Sequence, residues 1–467
     1  MTTRLPSVST IILAAGLGTR MRSRRAKVLH PLCGRPMLAY VIDAAVEATG
    51  GRPLVLVSPA TQAVRGVFAG EVDWAVQDPP LGTGHALQAA LAAIDGRADE
   101  VVVLSGDTPL LTAATVRRLV ERRRTTKAAI ALATIAPEDA SGYGRVVRAG
   151  GDVARIVEEK DADRAERAVE EVNGGLYAFD GSWLRRRIGD LTVSKATGEL
   201  YLTELVELAR ADERRVVPLK VEDEMELAGV NDRVQLATLE ADLRWRILER
   251  HLLAGVTMED PTTTFIDADV ELGQDVILEP GVLLRGHSRV GAESLIGSGS
   301  RLVDAVVGER CRIIASVLES CEVEDDVRIG PFAHLRAGAS IGSGSELGNF
   351  AEVKQSRIGP RSKQHHFSYI GDADVGADVN IGAGTVTANY DGQRKHRTVI
   401  GDGAFIGSDS MLIAPLTVGD GAVTGAGSVV TRDVPPGKMA VGVPARIRDR
   451  RERPSEPPSE PDDPAQR

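Results

Sequence analysis

Aliphatic residues recur at every sixth position along the C-terminal half of the chain: Ile266, Leu272, Leu278, Leu284, Val290, Ile296 and Leu302 follow one another without a break. The phase returns at Ile329, Leu335, Ile341, Leu347 and Val353, and again at Ile400, Ile406, Leu412 and Val418. Glycine often comes directly after, as in Leu272-Gly273, Ile296-Gly297, Ile341-Gly342 and Ile406-Gly407. A helix repeats at 3.6 residues and a half-buried strand at 2, so neither produces this pattern. It is the hexapeptide signature of a parallel β-helix, in which three repeats close one triangular coil and each turns an aliphatic side chain inward. Burying one such side chain contributes about 1.5–3 kcal/mol, so a run of seven decides the fold of residues 256–449.

The first half reads differently. Val8–Leu13, Leu54–Val57, Val101–Leu104, Ala129–Thr134 and Val216–Leu219 are short apolar runs bounded by turn residues. Helical patterns such as Met37–Ala48 and Gly84–Ala93 lie between them. That alternation predicts a mainly parallel sheet covered by helices over residues 1–230, with ligands at the carboxyl ends of its strands. Residues 231–255 have no Gly or Pro from Asn231 to Ala254 and carry Val234, Leu236, Leu239, Leu243, Ile247 and Leu248 at helical spacing, a linker helix. The tail, 450–467, is rich in proline and charge without apolar content and is expected to be disordered.

A net charge of −10 argues against general nucleic-acid binding, so any phosphate site must be a local cluster of cations. Cys33, Cys311 and Cys321 have neither a disulfide framework nor metal-ligand spacing, and suit a reducing cytoplasm. No segment has the length and apolarity of a membrane span. A cytoplasmic protein is expected.

Chemistry enters at Leu13-Ala14-Ala15-Gly16-Leu17-Gly18-Thr19-Arg20-Met21, directly after the first strand, with Lys27 six residues on. Closely spaced glycines let a backbone approach a ligand, and loop N–H groups can point at phosphate oxygens. Arg20 and Lys27 add cations. The string lacks both the Gly-Lys-Ser/Thr ending of a P-loop and the third glycine of the dinucleotide fingerprint. A bare Gly-x-Gly would more often be an ordinary turn. Further strings follow: Gln77 before Leu81-Gly82-Thr83-Gly84-His85, Gly106-Asp107, Tyr143-Gly144-Arg145, Glu158, Asn173 and Gly229-Val230-Asn231. Singly, Asp107 is a turn former and Asn231 a helix cap.

Together and in this order they resemble the bifunctional N-acetylglucosamine-1-phosphate uridyltransferase/glucosamine-1-phosphate N-acetyltransferase family, from about residue 8 to 445. The resemblance implies an α/β nucleotidyltransferase with a Rossmann-like mixed sheet, followed by a left-handed parallel β-helix, an exception to the right-handed crossover rule. It implies that Gln77, Gly82 and Thr83 read uracil, with Leu13, Ala14, Ala15 and Gly16 beside the nucleotide. Arg20 and Lys27 would act catalytically on the phosphates, Asp107 and Asn231 would hold Mg²⁺, and Gly144, Glu158 and Asn173 would hold the amino sugar. This chain has Ala26 where relatives have proline before the lysine, and Gly174 where they have Thr or Ser after the asparagine.

In the repeat region, polar residues that the coils do not need stand at Arg336, at Lys354 and in Ser362-Lys363-Gln364-His365-His366-Phe367-Ser368-Tyr369. Asn380 follows, then Asn389-Tyr390-Asp391-Gly392, which opens a loop that breaks the period. A lone histidine on a coil would more often be a surface residue. By resemblance His366 is the catalytic base, Arg336, Lys354, Tyr369 and Asn380 bind the sugar phosphate with Lys395, and Asn389, Tyr390, Ser408 and Ala426 contact acetyl-CoA. His365 beside it leaves a swap of duties open. The implied chemistry is acetylation of glucosamine-1-phosphate by acetyl-CoA, then transfer of UMP from UTP to N-acetylglucosamine-1-phosphate, feeding cell-envelope synthesis from a homotrimer. Two alternatives stay open: a nucleotidyltransferase whose β-helix only assembles subunits, and a purely scaffolding β-helix.

Overall fold

The computed structural model describes residues 7–94, 98–194 and 197–450; residues 451–467, most of the tail expected to be disordered, lie outside them. The chain divides into two compact units, Met1–Trp245 and Arg246–Arg467.

The first unit is built on a sheet ordered Val216–Lys220, Ile130–Ile135, Val172–Asp180, Glu100–Ser105, Val8–Leu13, Leu54–Val57 and Asp73–Val76. The runs read as strands from sequence are all strands, and their neighbours pair in parallel, as in Ile12↔Leu104 and Leu56↔Ala75. One central strand differs. Val172–Asp180 runs antiparallel to both neighbours, and the hairpin Arg145–Ala149/Asp152–Val157 joins its start, so the sheet is mixed, while the other four pairings along the order are parallel. Helices Met37–Thr49, Thr83–Ala93, Ala113–Thr126 and Glu204–Ala211 pack on it, with Leu104, Leu119, Phe179 and Trp183 fully buried.

The helix Arg233–Leu253 starts at Asp232, whose side chain accepts from the N–H groups of Val234 and Gln235, and ends before Gly255 at φ +98°. Leu236, Leu239, Leu243, Ile247 and Leu248 are buried, whereas Val234 is 76% exposed and lies off the apolar face. The division between the two units falls within this helix.

From Thr257 to Val430 the strands pair in parallel with the strand three further on, as in Ile266↔Leu284, Leu272↔Val290 and Leu278↔Ile296, and the last coil ends in Met439–Gly442, which stacks on Val423–Thr424 and runs antiparallel to Ala445–Arg448. That pairing gives three long sheets, the faces of a left-handed parallel β-helix. The first face starts at Thr257–Met258, the second at Phe265–Ile266 and the third at Glu271–Leu272. The sixth-position residues occupy equivalent, inward places in these strands. Between Leu302 and Ile329 the inward residues are Val307, Ile313, Leu318 and Val323, so several sides have five residues instead of six. The coil itself continues where the period slips.

Candidate functional sites

Three strands of the first unit end at one edge of the sheet and carry the predicted nucleotide residues there. Ala14-Ala15-Gly16 follow Leu13, Gln77 follows Val76, and Asp107 follows Ser105 by two residues. Asn173 opens the antiparallel strand and therefore reaches the same edge. The Ala14 N–H donates to the Leu56 carbonyl at 2.9 Å and Gly106 N–H to that of Leu13 at 2.9 Å, which fixes the loop. Ala14 and Ala15 are buried; Gly16 is exposed, and a Cβ added there would meet nothing within 4 Å. Gly18 adopts φ +61°, and a Cβ there would lie 2.6 Å from Cβ of Lys27. Glycine at 18 thus lets the Lys27 stem lie against the loop.

Four of the predicted side chains converge. Lys27 Nζ donates to Asp107 Oδ2 at 2.5 Å and reaches Asn231 Oδ1 at 3.4 Å, while Arg20 Nη2 donates to Asn231 Oδ1 at 3.0 Å. The Val230 N–H donates to the Asp107 carbonyl at 2.9 Å, tying the chain before Asn231 to the carboxylate-bearing loop. Burial, then the negative Asp107 and Glu224, push the Tyr143 phenol above its ordinary range, against a Gly229 N–H hydrogen bond that lowers it. Lys27 shows that one cation can reach an oxygen of Asp107 and of Asn231 together. This hard-oxygen pair suits Mg²⁺, which takes few protein ligands and completes its shell with water and phosphate oxygens. Among the described residues no cluster of three or more His, Cys, Asp or Glu could hold a metal unaided.

Two neighbouring groups are ordered by their own contacts. Gln77, buried, donates from Nε2 to the Gly82 carbonyl at 2.9 Å and lies 3.2 Å from His85 Nδ1. Gly82, at φ +97°, has the Leu200 carbonyl where a Cβ would be, and Thr83 Oγ1 accepts from Leu202 N–H at 3.1 Å. The Asn173 N–H donates to the Gly144 carbonyl at 2.9 Å, and Thr203 Oγ1 donates to Glu158 at 3.2 Å. Burial raises the Glu158 carboxyl above its usual range despite that bond. At Gly174 a Cβ would meet Leu227 Cδ1 at 2.4 Å, so Leu227 occupies the space a Thr or Ser side chain would need.

On the β-helix the predicted residues fall in two columns. Along one corner, Arg336 and Lys354 follow the inward residues Leu335 and Val353 on successive coils, and the next coil has Gly371 at that place. The Tyr369 hydroxyl lies over Gly371, where a Cβ would come within 2.3 Å of it. Arg336 pairs with Glu352 at 3.0 Å. Asn389 donates to Asp372, and Lys395 Nζ stands 3.9 Å from the same oxygen. Lys395 first, then Arg336, hold the Lys354 ammonium below its ordinary range. The other column lies where the first face turns into the second. Register places His366, Ser408 and Ala426 each two residues beyond the inward Gln364, Ile406 and Thr424. His366 is exposed and makes no side-chain hydrogen bond among the described residues, whereas His365 Nε2 lies 2.9 Å from Glu346 Oε2. Asn380 sits on the first face beside Lys363, and Tyr390 is exposed in the inserted loop, bridged to Lys395. No side-chain hydrogen bond joins the two columns among the described residues.

Residues 10–174 match the MobA-like NTP transferase domain, and residues 320–355 and 397–432 match the six-repeat bacterial transferase hexapeptide. The chain is 46% identical over 437 residues to a bifunctional protein GlmU of Trichlorobacter lovleyi, covering 93% of this chain and 95% of the relative. The GlmU of Rubrobacter xylanophilus is 46% identical over 94% of this chain and 93% of its own, and that of Anaeromyxobacter dehalogenans 47% over 89% and 86%. The chain belongs to the bifunctional GlmU family. It is a bifunctional transferase that acetylates glucosamine-1-phosphate and transfers UMP from UTP to N-acetylglucosamine-1-phosphate. No helix among its described residues is long and apolar enough to cross a membrane.

Three features of these sites are not read from the sequence motifs. The segment Glu199–Leu202 braces the Gly82 loop from more than a hundred residues away in sequence, the Leu200 carbonyl accepting from the Gly84 N–H, and nothing local signals it. Gln364 occupies an inward aliphatic place; its amide donates to Ser368 Oγ at 2.8 Å, and Ser368 donates to the His366 carbonyl at 3.0 Å. A polar residue on the aliphatic phase was the available signal for that brace. Asp372 lies three residues beyond the histidine-containing string, and its contact with Asn389 depends on coil stacking.

Proposed function

We propose that residues 1–230 carry the uridyl transfer and residues 256–449 the acetyl transfer, in two separate sites joined by the linker helix. The observation that carries the first assignment is the convergence of Arg20, Lys27, Asp107 and Asn231. A phosphate oxygen of N-acetylglucosamine-1-phosphate attacks the α-phosphorus of UTP; the new P–O bond forms as the bond to pyrophosphate breaks. The nucleophile is already anionic, so the site supplies charge neutralisation and in-line placement rather than a base. Arg20 and Lys27 neutralise the phosphates. Lys27 leaves Asp107 for a phosphate oxygen as substrate enters. Asp107 and Asn231 would hold Mg²⁺, which when bound neutralises phosphate charge. Leu13 to Gly16 line the nucleotide, Gln77, Gly82 and Thr83 read uracil, and Gly144, Glu158 and Asn173 hold the sugar.

In the second site Arg336, Lys354, Tyr369 and Asn380, with Lys395, bind the sugar phosphate. His366 takes a proton from the ammonium group, the free amine attacks the thioester carbon to form the C–N bond, and the coenzyme A thiolate leaves with the C–S bond's electrons and takes up the second proton that the nitrogen sheds. An imidazole ring nitrogen can accept that proton as a general base. Asn389, Tyr390, Ser408 and Ala426 contact acetyl-CoA. Self-association, which we read as a homotrimer, is supported by an exposed aromatic column beside His366: Phe332, Phe350 and Phe367 are 57%, 61% and 59% exposed, and the first two stack at 5.5 Å. Asp107→Ala is expected to abolish pyrophosphate release from UTP and N-acetylglucosamine-1-phosphate while thiol release from acetyl-CoA persists. Near-normal UDP-sugar synthesis by that variant would overturn the first assignment.

A further inference from the structure

A carboxylate stands inside the group of cations assigned to the sugar phosphate. Asp372 occupies the corner after Ser368–Gly371 at φ +49°, a left-handed conformation that aspartate tolerates better than most residues. Its N–H donates to the Lys354 carbonyl at 3.1 Å, and its own carbonyl accepts from Thr398 N–H at 3.1 Å. Its side chain is 20% exposed, accepts from the Asn389 amide and faces Lys395 at 3.9 Å. One residue therefore touches Lys354 and both ends of the loop inserted between Ala388 and Thr398.

The surrounding charges are unbalanced without it. Arg336 is matched by Glu352 and Arg397 by Asp374, but Lys395 has only Asp372 within ion-pair reach, and Lys354 has no carboxylate in contact among the described residues, the Asp372 charge acting on it through space. A carboxylate in an anion site weakens phosphate binding by direct repulsion, so its presence calls for a compensating gain. We propose that Asp372 is a positioning residue of the acetyl-transfer site, holding Asn389 and the Lys354–Lys395 pair in place so that the phosphate trap is assembled before the sugar phosphate arrives. The inference rests on the assignment of Arg336 and Lys354 to the sugar phosphate. Lys395 and Arg336 pull the Lys354 ammonium down and Asp372 opposes them. Removing the carboxylate leaves two adjacent ammonium groups, one of which sheds its proton at lower pH.

The test is Asp372→Asn in the full chain, an isosteric change that keeps an acceptor for Asn389. The alkaline limb of kcat/KM for glucosamine-1-phosphate is expected to move down by about one pH unit, with KM raised, kcat at saturating substrate near wild type and uridyl transfer unchanged. Adding Lys395→Met to that variant removes the second ammonium and returns the limb toward its wild-type place. An alkaline limb that stays put, or a loss confined to kcat and thermal stability, overturns the proposal. Lys354→Ala serves as control. If it leaves KM for the sugar phosphate unchanged, the pocket assignment fails; if it raises KM while Asp372→Asn does not, only the role of Asp372 fails.

Discussion

Ala26 stands at φ −55° and ψ 138°, the conformation that a proline ring would impose, and its carbonyl accepts from Leu29 N–H at 3.0 Å. The turn that delivers Lys27 to Asp107 is thus formed without a proline. Ala26→Pro should stabilise the chain by about 0.4–1 kcal/mol through the unfolded state, with uridyl transfer retained; a lower denaturation midpoint would show that the alanine N–H or the preceding residue is constrained. The two histidines call for the same resolution. His365 is engaged by Glu346 and the His366 ring makes no hydrogen bond among the described residues, so the adjacent rings stand in different environments. His366→Ala is expected to lose at least 100-fold in acetyl transfer, the usual worth of a general base, and His365→Ala to keep most of it. Thiol release with acetyl-CoA decides, and the reverse order would reassign the base.

At the scale of elements, what sequence conveys depends on whether a single strand or coil declares itself. The apolar strands and the run Ile266 to Leu302 do, because each residue's burial is set by its own coil. The strand Val172–Asp180 does not: Gly174 and Gly175 interrupt its apolar run, and its register shifts between Asn173 and Tyr177. Its direction, fixed by pairing on both sides, is invisible locally. Likewise the phase slips at Val307, Leu318 and Val323 because five-residue sides still close a coil. Gln364 and Thr387 sit inward as polar residues with hydrogen-bond partners. The linker helix carries a pH dependence of its own. His251 is buried with no hydrogen-bond partner at Nε2, and burial, then Arg250, lowers its pKa to about 4. Below pH 6.5 the unfolded chain takes up a proton that the folded chain refuses. Stability is therefore full above 6.5 and falls as pH drops towards 4, by roughly 3 kcal/mol in all. His251→Gln should flatten that fall in urea midpoints measured from pH 7 to 4; an unchanged slope would place the titration elsewhere.

The whole molecule carries a net charge of −10 while its substrates are anions, so productive encounter depends on two local cation groups, Arg20 with Lys27 and Arg336 with Lys354 and Lys395. Each group is assembled within one compact unit, from strand ends in the first and from stacked corners in the second. No residue of either group belongs to the other unit. If the activities are as separate as these contacts, the acetylated sugar phosphate can leave one molecule and be used by another. Equal mixtures of Asp107→Ala and His366→Ala proteins, each inactive in the overall reaction, should then make UDP-N-acetylglucosamine from glucosamine-1-phosphate, acetyl-CoA and UTP. The product should appear after a lag while the free intermediate accumulates, and adding N-acetylglucosamine-1-phosphate should abolish the lag. A mixture that stays silent, although each variant keeps its one partial reaction, would mean that the intermediate does not pass through solution and that the two units act as one.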